Sequence, residues 1–227
     1  MTNVNSTGRW IGAGILTSFA VGMTSNFYLQ PMIRTGDGAM GLFGGAAGQP
    51  GLIGSIVLMG LISGIVSLAS AALLCHVSAA RPFAWLSFLY LGLVAATFGM
   101  GGNELASYQL FRDLGAAILG DPNGELAQMI EPIRALVTGQ RNGLHFPHLL
   151  TSGAGIFALY LLLFHSRWVP RWLSTAGLLA AVSQMVGVFT GILGAEVAFY
   201  FLAPLALVHL ITALWLTLRG FSDSGQS

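Results

Sequence analysis

Residues 51–74 read GLIGSIVLMGLISGIVSLASAALL, twenty-four positions without one charged side chain. An α-helix rises about 1.5 Å per residue, so this stretch is roughly 36 Å long. That exceeds the bilayer's hydrocarbon core of about 30 Å. Five further stretches have the same character: Trp10–Leu29, Pro82–Gly102, Leu144–Leu163, Leu173–Gly194 and Ala198–Leu218, none with an Asp, Glu or Arg at its centre. The first is expected to be a retained span rather than a cleaved signal: Arg9 is the one charge before it, and no clean cleavage site follows before Asn26. The expected fold class is all-α, a polytopic transmembrane helical bundle of six spans in one membrane domain over residues 1–227.

Composition agrees. Of 227 residues, 55% are hydrophobic and 7% charged, where a soluble domain carries about 25% charged residues. So few charges cannot cover a water-facing surface. This excludes an ordinary soluble enzyme, a disordered chain and a nucleic-acid binder; a net charge of +1 offers no field for nucleic acid. Cys75 is the single cysteine, which rules out an intrachain disulfide and a cysteine-built zinc site. Gly99–Gly102 ends an apolar span and lacks the strand–loop–helix setting of a phosphate loop. No haem or flavin signature is present, and no cofactor is expected.

Orientation follows from arginine, since the chain has no lysine. With the N-terminus cytoplasmic, the inner side holds Arg9, Arg81, Arg167, Arg171 and Arg219 against one acid, Asp223; the outer side holds four arginines against seven acids. All five tryptophans fall at the inner helix ends, as interfacial anchors do. Both termini are therefore expected inside. Outside lie a Gly-rich loop at residues 30–50 and a helical cap at 103–143. The cap reads as a helix over Glu104–Leu119, a turn at Asp121–Gly124 and a second helix over Glu125–Val137 broken near Pro132. Small-residue stripes (Gly14, Ser18, Gly22, Asn26; Gly60, Ser63, Ser67, Ser70; Gly187, Gly191) mark faces for close helix packing inside the bundle.

Two polar groups are candidates for chemistry. Gln184 and His209 fall at one mid-membrane depth on sequential antiparallel spans. They read as an interhelical hydrogen bond ahead of a proton or substrate site. Near the outer mouth, Glu104 and Tyr108 share a helix face with Arg112, His145 and His148 open the fourth span, Asn26 and Tyr28 end the first, and Glu196 lies between the last two. Glu104 and His145 have the residue types of an acid–base pair. Two His at i, i+3 with a carboxylate also form a plausible metal set. A helix N-terminus disfavours a cation, however, so anchoring is preferred and no metal is expected.

Phe164-His165-Ser166-Arg167-Trp168-Val169-Pro170-Arg171-Trp172-Leu173-Ser174 resembles the RS-x-x-x-P-x-x-L-G turn of a bacterial membrane family, domain of unknown function 4386. Arg9-Trp10-Ile11-Gly12 resembles that family's entry to the first helix. His145 or His148 answers its histidine at the fourth. The order Ser166-Arg167 is reversed, and Ser174 stands where glycine is usual. The resemblance implies six or seven helices and carries no known activity. The leading expectation is a multi-pass protein of a bacterial inner membrane, with the lipid bilayer around it. It would bind a lipid or small apolar ligand, or serve as partner subunit to another membrane protein. The rivals are a membrane-embedded enzyme on a lipid or isoprenoid using Glu104 and His145, and a small transporter using Gln184 and His209.

Overall fold

The computed structural model describes residues 4–222; Asp223, the one acid counted on the inner side, lies outside the described residues. Every regular element among them is helical: α1 (Val4–Thr24), α2 (Gly38–Gly48), α3 (Pro50–Ser78), α4 (Ala84–Gly120), α5 (Ile130–Ser166), α6 (Arg171–Ile192) and α7 (Phe199–Arg219). A wide π-type turn, Ser25–Leu29, and a short turn, Gln30–Met32, continue α1, and Glu125–Gln128 adds one turn before α5. Helices α3 to α7 are long and apolar enough to cross a membrane. Large apolar side chains lie exposed along them, among them Leu58, Ile65, Phe88, Leu179 and Leu207. Exposed apolar surface on this scale marks contact with something other than water, and a multi-pass membrane protein accounts for it.

Three expectations about the connecting segments need correction. The Gly-rich stretch is not all loop, because α2 occupies Gly38–Gly48. Its glycines permit close approach: Gly41 and Gly45 lie against the carbonyls of Gly36 and Ile33, where a Cβ would not fit. Gly38 starts the helix at φ +67°, a conformation that favours glycine. Next, no break separates residues 102 and 104, since α4 runs 37 residues without interruption. Finally, the fourth apolar stretch does not begin its own helix at Leu144. Helix α5 starts at Ile130, and Pro132 falls in its first turn, where the missing N–H costs no hydrogen bond. The first helix, which carries Asn5, Ser6, Thr7 and Arg9, is not among the five apolar enough to cross.

The chain divides into two compact units. Of the described residues, the first holds those up to 19, 64–98 and those from 146 onward. Its core includes Ile11, Leu74, Leu86, Tyr160, Trp168, Leu173, Leu216 and Phe221. Glycines set its packing: Gly12 meets Leu216, Gly64 meets Phe98, Gly177 meets Tyr160, Gly187 meets Phe201 and Gly191 meets Val197 and Phe146. Both glycines of the α6 GxxxG thus face side chains of their own chain. The α1 stripe is shorter than expected: Gly14 meets Ser70 and Ser18 bonds Ser67, but Gly22 faces open space.

The first unit also corrects the reading of tryptophan. Trp168 is 1% exposed and stacks on Phe221 at 4.3 Å. Its carbonyl accepts from the Ser222 N–H at 3.0 Å. Arg167 before it takes φ +56°, so the chain turns there and carries the indole inward. Trp168 is a core residue; Trp10, Trp85 and Trp172 are exposed.

The second unit comprises Ala20–Ser63 and Gly99–His145. Phe43, Ile53, Ile56, Phe111 and Ile118 form its core, with Tyr108 at the edge. Phe111 meets Phe43 and Tyr108 edge-on at 5.9 and 6.1 Å. Gly115 lets the carbonyl of Phe43 approach α4. Glu131 accepts the Ala39 N–H at 2.9 Å and pairs with Arg134 at 2.8 Å, pinning the start of α2.

Candidate functional site

Three pairs of polar residues, each at i, i+4 spacing, converge in the second unit. Glu104 and Tyr108 come from α4, Arg141 and His145 from α5, and Asn26 and Gln30 from the chain after α1. Spacing of four puts both members of a pair on one helix face. The third pair depends on the wide turn at Ser25–Leu29, where the Gln30 N–H bonds the carbonyl of Ser25. Such a turn holds one residue more than an α-turn. Everything after it is rotated by about 100° from a continued α-helix.

Glu104 is the centre, a carboxylate only 9% exposed. Arg141 Nη2 donates to its Oε1 at 3.3 Å, and His145 Nδ1 lies 3.1 Å from both carboxylate oxygens. An ionised carboxylate only accepts, so the imidazole proton sits on Nδ1 and Nε2 is the ring's basic nitrogen. Arg141 Nη2 also donates to Tyr108 Oη at 2.6 Å and to Gln30 Oε1 at 3.4 Å. Its guanidinium lies 5.0 Å from the centre of the Tyr108 ring, a cation–π contact. Gln30 in turn donates to Asn26 Oδ1 at 2.6 Å. The charges of Glu104 and Arg141 cancel within the cluster.

Of the residues the sequence singled out, Glu104, Tyr108, His145 and Asn26 lie in this network. Arg112 does not: it pairs with its neighbour Asp113 at 2.8 Å. His148 lies half-buried three residues beyond His145 on α5, in the first unit, where exposed Glu196 also lies. Arg141 and Gln30 were missed. The signal for Arg141 was present, because it precedes His145 by four residues just as Glu104 precedes Tyr108. Gln30 likewise follows Asn26 by four residues, but its approach to Arg141 depends on the wide turn, which the sequence does not report.

The geometry also changes the argument about cations. His145 does not open a helix; α5 begins fifteen residues earlier at Ile130. It lies well inside its own helix rather than at that helix's N-terminus, and the dipole reason against a metal falls away. A different reason stands in its place. Glu104 and His145 are residue types that hold a cation, but the Arg141 guanidinium occupies one oxygen of that carboxylate and repels a second positive charge.

The mid-membrane candidates both lie in the first unit and have separate partners. Gln184 Nε2 donates to the carbonyl of Leu149 at 3.3 Å. His209 Nδ1 lies 3.3 Å from Tyr160 Oη, which is 3.0 Å from Thr212 Oγ1. Thr212 donates to the carbonyl of Val208 at 2.8 Å, so its oxygen accepts from Tyr160 and His209 donates through Nδ1. These are hydrogen bonds among neutral groups.

No curated protein and no solved structure matches the chain. Residues 10–220 match the family described as Domain of unknown function (DUF4386). That match takes in nearly the whole sequence, including the 164–174 turn that carried the resemblance, and the chain belongs to this family.

Proposed function

We propose that this protein is a non-enzymatic multi-pass component of a bacterial plasma membrane that binds an amphiphile, with its polar head at the Glu104–Arg141 cluster. The observation that carries the reading is the cluster itself: a charge-balanced set of hydrogen-bonding side chains from three helical segments, in a chain of which only 7% is charged. Membrane proteins keep such groups where they bind or move something, because burying them in an apolar setting is costly. In this reading α1 with its wide turn joins α3 to α7 as a sixth span. The whole chain forms one membrane domain, and the arginine distribution places both ends in the cytoplasm.

Native mass spectrometry of protein taken gently from membranes tests this, wild type beside His145→Ala. A discrete adduct with the mass of an amphiphile, present in wild type and depleted in the variant, is expected. Equal adducts in both, or none in either, would remove the cluster from the function and favour a partner subunit.

The Nδ1–carboxylate contact of His145 and Glu104 favours a second reading, an acid–base pair acting on a lipid or isoprenoid, since a carboxylate that fixes the tautomer leaves Nε2 as the base. It requires turnover of a bound lipid that both Glu104→Gln and His145→Ala abolish. The transporter reading has no comparable support, as Gln184 and His209 are each tied to a neighbouring helix.

A further inference from the structure

Five arginines gather at one end of the first unit, and contacts within that unit hold them there. Asn5, in the first turn of α1, donates to the carbonyls of Arg219 and Phe221 at 2.8 and 3.2 Å. Phe221 stacks on Trp168, and the Ser222 N–H donates to the Trp168 carbonyl. Phe83 stacks on His165 at 6.4 Å. The start of α1, the α3–α4 turn, the α5–α6 junction and the end of α7 thus meet. They carry Arg9, Arg81, Arg167, Arg171 and Arg219, all exposed. None of the five has an ion pair among the described residues. Arg171 and Arg219 lie over the rings of Phe164 and Trp215 at 5.5 and 5.8 Å. The described residues at this end include no carboxylate, and Asp223 beyond them can neutralise at most one of the five.

Arg167 sharpens the point. Its φ of +56° is one that glycine adopts without strain and a residue with a Cβ does not. Shaping the turn therefore does not account for an arginine there, whereas its exposed, unpaired guanidinium suits an anion. Tryptophan narrows the kind of anion. Trp10 and Trp172 follow Arg9 and Arg171 directly, Trp85 lies just past Arg81, and all three are 61% exposed or more. Indole rings settle at headgroup depth, and guanidinium groups pair with phosphate through parallel N–H bonds. A soluble nucleic acid or acidic protein would engage the arginines and leave the indoles idle; a phospholipid engages both. A zwitterionic headgroup brings a cation that this excess of positive charge repels, and an anionic one does not. We propose that this end of the first unit is a docking surface for anionic phospholipid, with Arg167 and Arg171 holding the headgroup phosphate.

The exposed tryptophans supply the readout. The full-length protein is reconstituted in vesicles of phosphatidylcholine and phosphatidylglycerol, with bromine on the acyl chains of one lipid at a time. Quenching of tryptophan fluorescence then gives the relative affinity of the two lipids at this surface. Phosphatidylglycerol should be preferred by about fivefold or more at low ionic strength, and the preference should fall as salt is raised. Arg167→Gly combined with Arg171→Gln should bring it below about twofold, with the protein still folded because glycine suits the backbone at 167. Arg34→Gln, which removes an exposed arginine of the second unit, should leave it unchanged. Equal quenching by the two lipids in the wild type, or a preference that survives the double variant, would overturn the proposal and leave the arginines to orientation or to a soluble partner. Loss of the preference on adding inorganic phosphate at constant ionic strength would assign the surface to free phosphate and overturn it as well. None of these outcomes bears on the Glu104–Arg141 cluster.

Discussion

In the first unit every charged side chain among the described residues is exposed, and the buried polar groups are neutral: Ser78 bonds Ser87 at 2.6 Å, Tyr160 bonds Thr212, and Cys75 donates to the carbonyl of Ser87. In the second, Glu104 is buried and holds Arg141 and His145 beside it. The neutral bonds join helices that otherwise pack through an apolar side-chain core and close glycine contacts. The charged cluster cannot be explained as glue of the same kind, because an apolar core of equal volume holds helices together as well or better. The first unit therefore shows what polar packing requires in this chain, and the second exceeds it. That excess is the argument for a site.

The largest effect should come from the apolar core of the first unit. Trp168→Ala removes a fully buried indole from its stack on Phe221 and should destabilise by about 3–5 kcal/mol. Trp172→Ala, four residues on and 61% exposed, should change stability by about 0.5 kcal/mol or less. Unfolding in mixed micelles measures both. Similar losses would mean that Trp168 anchors at an interface as the others do.

Next comes the buried pair of the second unit. Glu104→Gln keeps the shape but strands the Arg141 guanidinium, at a cost of about 3 kcal/mol, the low end for a buried pair because Arg141 is partly exposed. Adding Arg141→Gln should recover more than half of the loss. If the double variant is as unstable as the sum of the singles, the two residues act independently and the charge-balanced cluster is not a unit.

Glycines sharpen the contrast at a smaller scale. A methyl at Gly115 would run into the backbone carbonyl of Phe43, which cannot swing aside as a side-chain tip can. Gly115→Ala should cost about 2 kcal/mol. Gly92 meets nothing within 4 Å, and Gly92→Ala should be neutral or stabilise by up to about 1 kcal/mol through helix propensity. Thermal unfolding of the two variants side by side separates packing glycines from incidental ones.

Sequence made the helices legible because a charge-free run of membrane length has few other fates. It also brought out Glu104 and Tyr108, because i, i+4 spacing is read directly, and His145 as one of the pair with His148. Three things stayed hidden for physical reasons. Trp168 turns inward through a positive φ at Arg167, a backbone choice that no composition rule reports. Gln30 meets Arg141 only past a wide turn that shifts helical phase. Helix α2 forms in a stretch whose glycines read as loop, where Gly41 and Gly45 admit the backbone carbonyls of Gly36 and Ile33.

The smallest predicted effect bears most directly on the contrast. Tyr160→Phe removes one hydroxyl that joins His209 and Thr212. Neutral hydrogen bonds between membrane helices contribute about 0.6 kcal/mol on average, because polar groups in the unfolded-in-membrane state also find partners. The cycle of Tyr160→Phe with Thr212→Val should therefore give a coupling near that value. The same cycle for Glu104→Gln with Arg141→Gln should give at least about 1.5 kcal/mol, the lower range for close charge pairs. Equal coupling energies would erase the distinction between the units, since the charged cluster would then be packing like the rest. A gap of about two and a half fold or more would mean that the second unit carries a charged arrangement unlike the packing bonds of the first. That arrangement then needs a function to keep it.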